Sequence, residues 1–319
     1  MTTTTLPGPD GADGPGAPGT GSGAVGAGYD PAFLTVPVPL PVRRERPEDL
    51  LELPYTHFTV VLDTARRLAA TTACMVDGAT LLDLERGDDW FLDPRVPVGG
   101  QAGPELYARN DLDRGHLVRR RDPVWGPPDV ARRANADTFA YTNAAPQAAD
   151  FNQGMELWLG LEDHVLAYAE STDQRLVVVT SPVLAADDPL YRGVRVPRRF
   201  TKVVAWTTPA VTSDVDTAGG GAATEGEVVL AAAGFVLDQT PQLDDLDVTA
   251  QREAGEAGVP PLGPFRSFQV PVADVEALTG LDLGPLADAD RGVGARTALT
   301  PLGAAWVRLQ DLSEVRLGA

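Results

Sequence analysis

A chain of 319 residues has ample material for a buried core, and its formal charge of -19 argues against a partner such as nucleic acid gripped over a broad basic face. A single cysteine, Cys74, excludes an intramolecular disulfide and any Cys-based zinc or iron–sulfur site, so metal chemistry must use oxygen or nitrogen ligands, with three histidines at hand. No run of about 18 apolar residues is present, which excludes a transmembrane helix and a membrane partner of that kind.

In chain order, the first 30 residues hold 9 Gly and 4 Pro with little apolar surface to offset the entropy of ordering. Residues 1–27 are therefore expected to be a disordered tail, with folding starting near Gly28 to Pro41. Met1 to Gly28 lacks the basic and apolar regions of a secretory signal, so a cytoplasmic location is the default expectation, export by another route being the alternative. Strand signals follow at His57 to Leu62 and Thr72 to Val76, then a short helical pattern at Pro128 to Ala136. From Asn152 to Thr172, Leu157, Leu161, Val165 and Tyr168 recur at helical spacing, with Asp150 as an N-cap. Further strand signals lie at Arg175 to Thr180, Phe200 to Trp206, Val228 to Leu237 and Ser267 to Val270, and a helix at Val272 to Thr279. The low-complexity stretch Thr208 to Glu227 sits between two of these runs and reads as a long hairpin loop. Strands grouped around few helices, without regular alternation, predict an α+β fold with a largely antiparallel sheet, in one domain over residues 28–317.

The charge is uneven along this order. Arg109 to Arg133 carries seven arginines against four aspartates, and Arg192 to Lys202 carries five basic residues and no acid, whereas Asp238 to Asp290 holds eleven acids against Arg252 and Arg266. Such runs are commonly solvated faces, but arginine is also the side chain that clamps phosphate with two parallel hydrogen bonds. Of the 26 basic residues only Lys202 is a lysine, a bias from which no function is read.

Within the first basic run lie Asp113-Arg114-Gly115-His116, then Thr142-Asn143-Ala144-Ala145-Pro146-Gln147, Phe151-Asn152-Gln153-Gly154 and Trp158-Leu159-Gly160-Leu161-Glu162-Asp163. These deliver one imidazole, two carboxamides and a carboxylate. Neutral histidine accepts a proton from water near pH 7, and Asn and Glu are oxygen donors suited to Mg²⁺. The combination fits metal-assisted phosphodiester hydrolysis.

On these four pieces, in this order and spacing, the chain resembles the DNA/RNA non-specific endonucleases, the ββα-metal (His-Me finger) group that includes Serratia-type nucleases and endonuclease G. The resemblance extends more weakly to His57–Asp63, Asp93–Arg95, Thr180–Leu184 and Pro197–Trp206. It implies DNA and RNA as substrates, cleaved to 5′-phosphate and 3′-hydroxyl ends. It implies His116 as general base and Asn152 as the one direct protein ligand of a single Mg²⁺, for which Mn²⁺ could substitute. Glu162 would reach the ion through a water, Asn143 would orient the segment bearing His116 or the metal, and Arg114 would contact phosphate or brace the loop. Arg119, Arg120 and Arg121 are the expected substrate-binding residues. A homodimer is compatible with the resemblance, and no inhibitor protein is legible.

Two departures bear on this reading. Met155 and Glu156 lengthen the span before Trp158, and two extra helical residues would turn Glu162 by about 200°; either the helix starts later than Asn152 or Glu162 is not the partner. The family also uses an upstream arginine on the pentavalent state. Here Arg86 and Arg95 flank Trp90-Phe91-Leu92-Asp93-Pro94 and neither falls plainly at the matching spot, with Arg119 and Arg120 as further candidates.

The other conspicuous residues carry simpler expectations. His57 makes a structural hydrogen bond, His164 is at the surface, and Trp158, Leu161 and Val165 are core. Trp125 either stacks on a base or closes its loop. Asp244-Asp245-Leu246-Asp247 lacks the spacing of a calcium loop, and Gly219 to Gly221 lacks the Gly-Lys-Ser/Thr of a phosphate loop. The rival readings are a lapsed nuclease acting as a binding or scaffold module, and a substrate-restricted nuclease serving as toxin or defence effector.

Overall fold

Continuous apolar runs such as Val177-Val178-Val179 and Val203-Val204-Ala205-Trp206 suit a strand covered on both faces. In the computed structural model, which describes residues 26–45, 47–148, 158–210, 228–241, 243, 266–292, 301–309 and 312–317, both runs lie at the middle of one eight-stranded sheet. The strands used below are β1 (Leu50–Pro54), β2 (Phe58–Asp63), β3 (Leu68–Asp77), β4 (Leu112–His116), β5 (Ala144–Ala148), β6 (Arg175–Pro182), β7 (Arg199–Pro209), β8 (Val228–Asp238), β9 (Arg266–Val270) and β10 (Val307–Leu309). The main sheet runs β10-β9-β8-β7-β6-β3-β2-β1 with every neighbouring pair antiparallel, while β4 and β5 form a separate antiparallel ribbon. The helices are α1 (Pro128–Asp137), α2 (Trp158–Thr172) and α3 (Val272–Thr279).

The expected α+β fold with an antiparallel sheet is the one observed, and all six strand signals fall on strands. The pairing of Pro209 with Val228 also shows that the low-complexity stretch joins two hairpin strands; its residues 211–227, like the tail at 1–25, lie outside the described residues.

Alternation along each strand sorts the core into two layers. Cys74 and Val76 of β3, Leu176 and Val178 of β6, and Phe200, Val204 and Trp206 of β7 face one layer, which also takes Leu161, Val165, Leu166 and Ala169 from α2 and Leu117 and Val118 from the segment after β4. Ala73, Met75, Val177, Val179, Val203 and Ala205 face the other, closed by Tyr29, Leu34 and Val38 and by Val272 and Val275 of α3. The expectation that Leu161 and Val165 are core is met; the side chain of Trp158 lies outside the described residues. Gly78 fixes the distance between β3 and α2, because a Cβ there would meet the Ala169 carbonyl oxygen at 2.0 Å. Among the described residues no helix is long and apolar enough to cross a membrane.

Candidate active site

The ββ ribbon and α2 lie on the same side of the sheet, and their sequence motifs fit one another. Gly115 of β4 pairs with Ala145 of β5, and the buried Gln147 side chain lies over the place where a Cβ on residue 115 would stand, 2.1 Å from its nearest atom. A larger residue would displace Gln147, so the glycine beside His116 answers to the glutamine that closes the second motif. His116 ends β4 opposite Ala144. Immediately beyond it, the backbone N–H of Leu117 donates to the Asn143 carbonyl at 2.9 Å, and that of Val118 donates to Asn143 Oδ1 at 2.9 Å. Asn143 Nδ2 donates in turn to the carbonyls of Val118 and Thr138, each at 3.0 Å. Fully buried, the Asn143 side chain thus makes three hydrogen bonds that fix the chain leaving His116.

Aromatic rings enclose the imidazole. The Trp90 ring centre lies 4.8 Å from that of His116, and Phe139 meets it edge-on at 5.2 Å. The Arg114 guanidinium sits over Trp90 at 5.0 Å, and Asp88 accepts from Trp90 Nε1 at 3.0 Å and pairs with Arg114 at 3.6 Å. His116 Nε2 is shielded from solvent and has no hydrogen-bond partner. Burial, and then the charges of Arg86, Arg120 and Arg114, push the imidazole down to about 3, so it is neutral at physiological pH. In the tautomer protonated at Nδ1, such an unpartnered Nε2 is free to accept a proton.

A second group of charges lies beneath α2. Glu162 Oε1 accepts from Lys202 Nζ at 2.8 Å, and Arg119 Nε stands 3.6 Å from Oε2. Arg119 also pairs with Asp163. Asp122, buried beside them, is pushed up to about 6 by burial, with Lys202 and Arg119 opposing that rise and Glu162 adding to it. The helix register turns Glu162 toward the sheet, where it meets Lys202.

Among the described residues no three His, Cys, Asp or Glu side chains group as a metal site. Asn152, the expected direct ligand, lies outside them with the rest of residues 149–157. What is described suits a hydrated, oxygen-preferring cation: Glu162, already compensated by two cations, is better fitted to accept from a water than to ligate directly.

A comparison with protein families matches residues 47–290 to the DNA/RNA non-specific endonuclease model. The chain belongs to that family. It is also 39% identical over 276 residues to the uncharacterized protein y4fB of Sinorhizobium fredii (strain NBRC 101917 / NGR234), covering 80% of this chain and 38% of that protein. It thus spans well under half of that relative's length. Among solved structures, the EndoG/EndoGI complex aligns at 18% identity with a TM-score of 0.48, over 72% of this chain and 84% of that one.

The remaining expected residues fall into two sets. Arg114, Arg120 and Arg121 line the side of the site covered by residues 82–90: Arg120 Nη1 donates to the Leu84 carbonyl at 2.8 Å, and Arg121 faces Asp83 at 3.8 Å. Arg119, grouped with them in the sequence, turns inward to Glu162 and Asp163. Arg95 forks onto Asp93, with Nη2 at 2.6 Å, and reaches the Pro54 carbonyl at 2.9 Å. Arg86 is exposed, and its charge acts on His116. Trp125 closes its loop: its ring stacks on His57 at 3.5 Å and its Nε1 donates to the Met75 carbonyl at 2.8 Å. His57 Nδ1 bonds the Pro123 carbonyl at 2.8 Å, the structural role expected of it. His164 is half-buried, and residues 244–247 lie outside the described residues.

Sequence reading did not single out Lys202 or Asp122 as members of the site. The one available signal was that Lys202 is the lone lysine in an arginine-rich chain.

Proposed function

We propose that this protein is a sequence-non-specific endonuclease that hydrolyses phosphodiester bonds of DNA and RNA, leaving 5′-phosphate ends, with His116 as general base. The observation that carries the reading is His116 Nε2: neutral, shielded, unpartnered, at the end of the ribbon and within the field of three arginines. Backbone contacts to phosphate, without base readout, suffice for cleavage without sequence preference.

His116 would take the proton of the attacking water at Nε2. Its basicity is low in the free protein, and an entering phosphate would raise it by neutralising Arg86, Arg114 and Arg120. Arg86 is the arginine best suited to the charge of the pentavalent state, because Arg95 is committed to Asp93. Asn143 holds the strand end that carries the base. Asn152 would hold Mg²⁺ directly and Glu162 through a water, Mn²⁺ being an alternative ion. Bound there, the ion supplies charge neutralisation at phosphorus and at the leaving oxygen.

The test is cleavage of supercoiled plasmid and of RNA, with Mg²⁺ or with EDTA. His116→Ala should lower kcat by roughly 10²–10⁴-fold, and Arg86→Ala by on the order of 10²–10³-fold, as for loss of one transition-state donor. Arg95→Ala should act chiefly on stability. Undiminished cleavage by His116→Ala would overturn the assignment, and an inert wild-type protein would favour a binding or scaffold role.

A further inference from the structure

Lys202 stands on β7, one of the two central strands of the sheet, with 1% of its side chain exposed. It pairs across the sheet with Thr180 and Phe235 and projects to the face that carries α2. The chain has 25 arginines and this one lysine, which among the described residues is the most deeply buried cation. Burying an ammonium costs several kcal/mol unless acids compensate it, and Glu162 and Asp122 do so here. Compensation alone would be served equally by an arginine.

The two cations differ in how they hold a carboxylate. An ammonium is a point charge that binds one oxygen, whereas a guanidinium is a planar fork that takes both. Lys202 Nζ is 2.8 Å from Glu162 Oε1, while the cation facing Oε2, Arg119 Nε, stops at 3.6 Å, beyond normal hydrogen-bond length. One oxygen of Glu162 is fixed and the other keeps its acceptor capacity.

We infer that Lys202 is a positioning residue that fixes Glu162 by a single oxygen, so that the second oxygen stays available to the hydrated cation of the site. The inference rests on the reading of Glu162 given under Proposed function. It also accounts for how Glu162 can serve despite the two extra residues before Trp158: the partner on the sheet, as well as the helix, sets where the carboxylate points.

The experiment measures Mn²⁺ affinity of the full-length protein without nucleic acid, by calorimetry, together with thermal unfolding and kcat for plasmid cleavage. Lys202→Arg keeps the charge but offers a fork; it should leave Mn²⁺ affinity lower by on the order of 10–100-fold, the usual effect of losing a partner that orients a metal site. Glu162→Gln keeps an oxygen for Lys202 and replaces the other by an amide, and it should show a similar loss with the fold retained. Should Lys202→Arg fail to fold, Lys202→Gln, which keeps one N–H donor for Oε1 and no fork, takes its place and should retain more Mn²⁺ affinity than Lys202→Met; equal affinity in the two would overturn the inference. Wild-type affinity in the folded variants would overturn the inference while leaving the proposed function standing. A wild-type protein that binds no Mn²⁺ would overturn both the metal reading and this inference, and loss of Mn²⁺ affinity in both folded variants would support it.

Discussion

Two groups of paired charges, one beneath α2 and one along residues 82–90, differ in what water can reach. Beneath α2, Lys202, Glu162 and Arg119 are 1, 10 and 11% exposed, and Asp122 is buried with them. On the outer side, Arg114 and Arg121 are 35 and 36% exposed and face Asp88 and Asp83, which are 72 and 82% exposed, across 3.6 and 3.8 Å. The inner pairs cannot be exchanged for water without leaving a buried charge, so they act as structure. The outer pairs are screened and contribute roughly 0–1 kcal/mol each, so they can be traded for another anion. Under the proposed function the two kinds have separate uses: fixed charges hold elements in register, and exchangeable charges could receive phosphate.

The largest test of this contrast removes one arginine from each group. Arg119→Met should destabilise the fold by roughly 1–3 kcal/mol, because it removes a buried cation from beside Glu162 and Asp122. Arg121→Met should change stability by no more than about 0.5 kcal/mol. Denaturant unfolding of the two variants measures the difference, and similar losses in both would break the distinction.

A second test uses acid. The folded-state value of His116 lies near 3, below the ordinary imidazole value, so between about pH 6.5 and 3 the unfolded chain binds the extra proton. Stability tied to His116 is therefore present above pH 6.5 and falls as the pH drops, by at most about 1.4 kcal/mol per pH unit. Asp122 has the opposite sign. Raised to about 6, it favours the folded state as the pH falls from 6 toward the ordinary carboxyl value. The difference between wild type and His116→Asn isolates the histidine: the variant should lose less stability between pH 7 and 5, and identical slopes would mean that His116 is better solvated than its surroundings suggest.

How much of this was legible depended on whether the information was local. Strands β3, β6, β7 and β8 were readable because a sheet covered on both faces writes an unbroken apolar run, and α3 matched its prediction, Val272 to Thr279, to the residue. The edge strand β1, Leu-Leu-Glu-Leu-Pro, and the three-residue β10 carry no such run. The ribbon that carries His116 was legible only as motif. Asp-Arg-Gly-His and Ala-Ala-Pro-Gln have no strand pattern, and they pair because Gly115 admits Gln147, a contact between residues 32 apart. The pairing of Lys202 with Glu162 spans 40 residues and joins a strand to a helix, so no periodicity announces it. Arg119, Arg120 and Arg121 read as one basic run, yet consecutive side chains on an irregular segment leave in different directions, and Arg119 went inward.

The smallest expected effect is the most specific to the outer group. Residues 82–90 run without regular structure between the bridge of Leu81 with Trp125 and that of Phe91 with Ala140. Over that span Asp83 faces Arg121, the Leu84 carbonyl holds Arg120, Asp88 faces Arg114 and Trp90 lies against His116. The arginines expected to meet phosphate are thus already met by a segment carrying carboxylates, and under the proposed function substrate would displace those pairs. Neutralising Asp83 and Asp88 as D83N/D88N keeps an acceptor for Trp90 Nε1 and removes the competing charge. KM for plasmid should fall by a few-fold at low ionic strength, because each displaced surface pair is worth up to about 1 kcal/mol, with kcat within about twofold. In 1 M salt, where the screening length shrinks to roughly 3 Å, the difference should vanish. An unchanged KM at low salt would mean that the outer arginines meet no phosphate, and the exchangeable half of the contrast would fail.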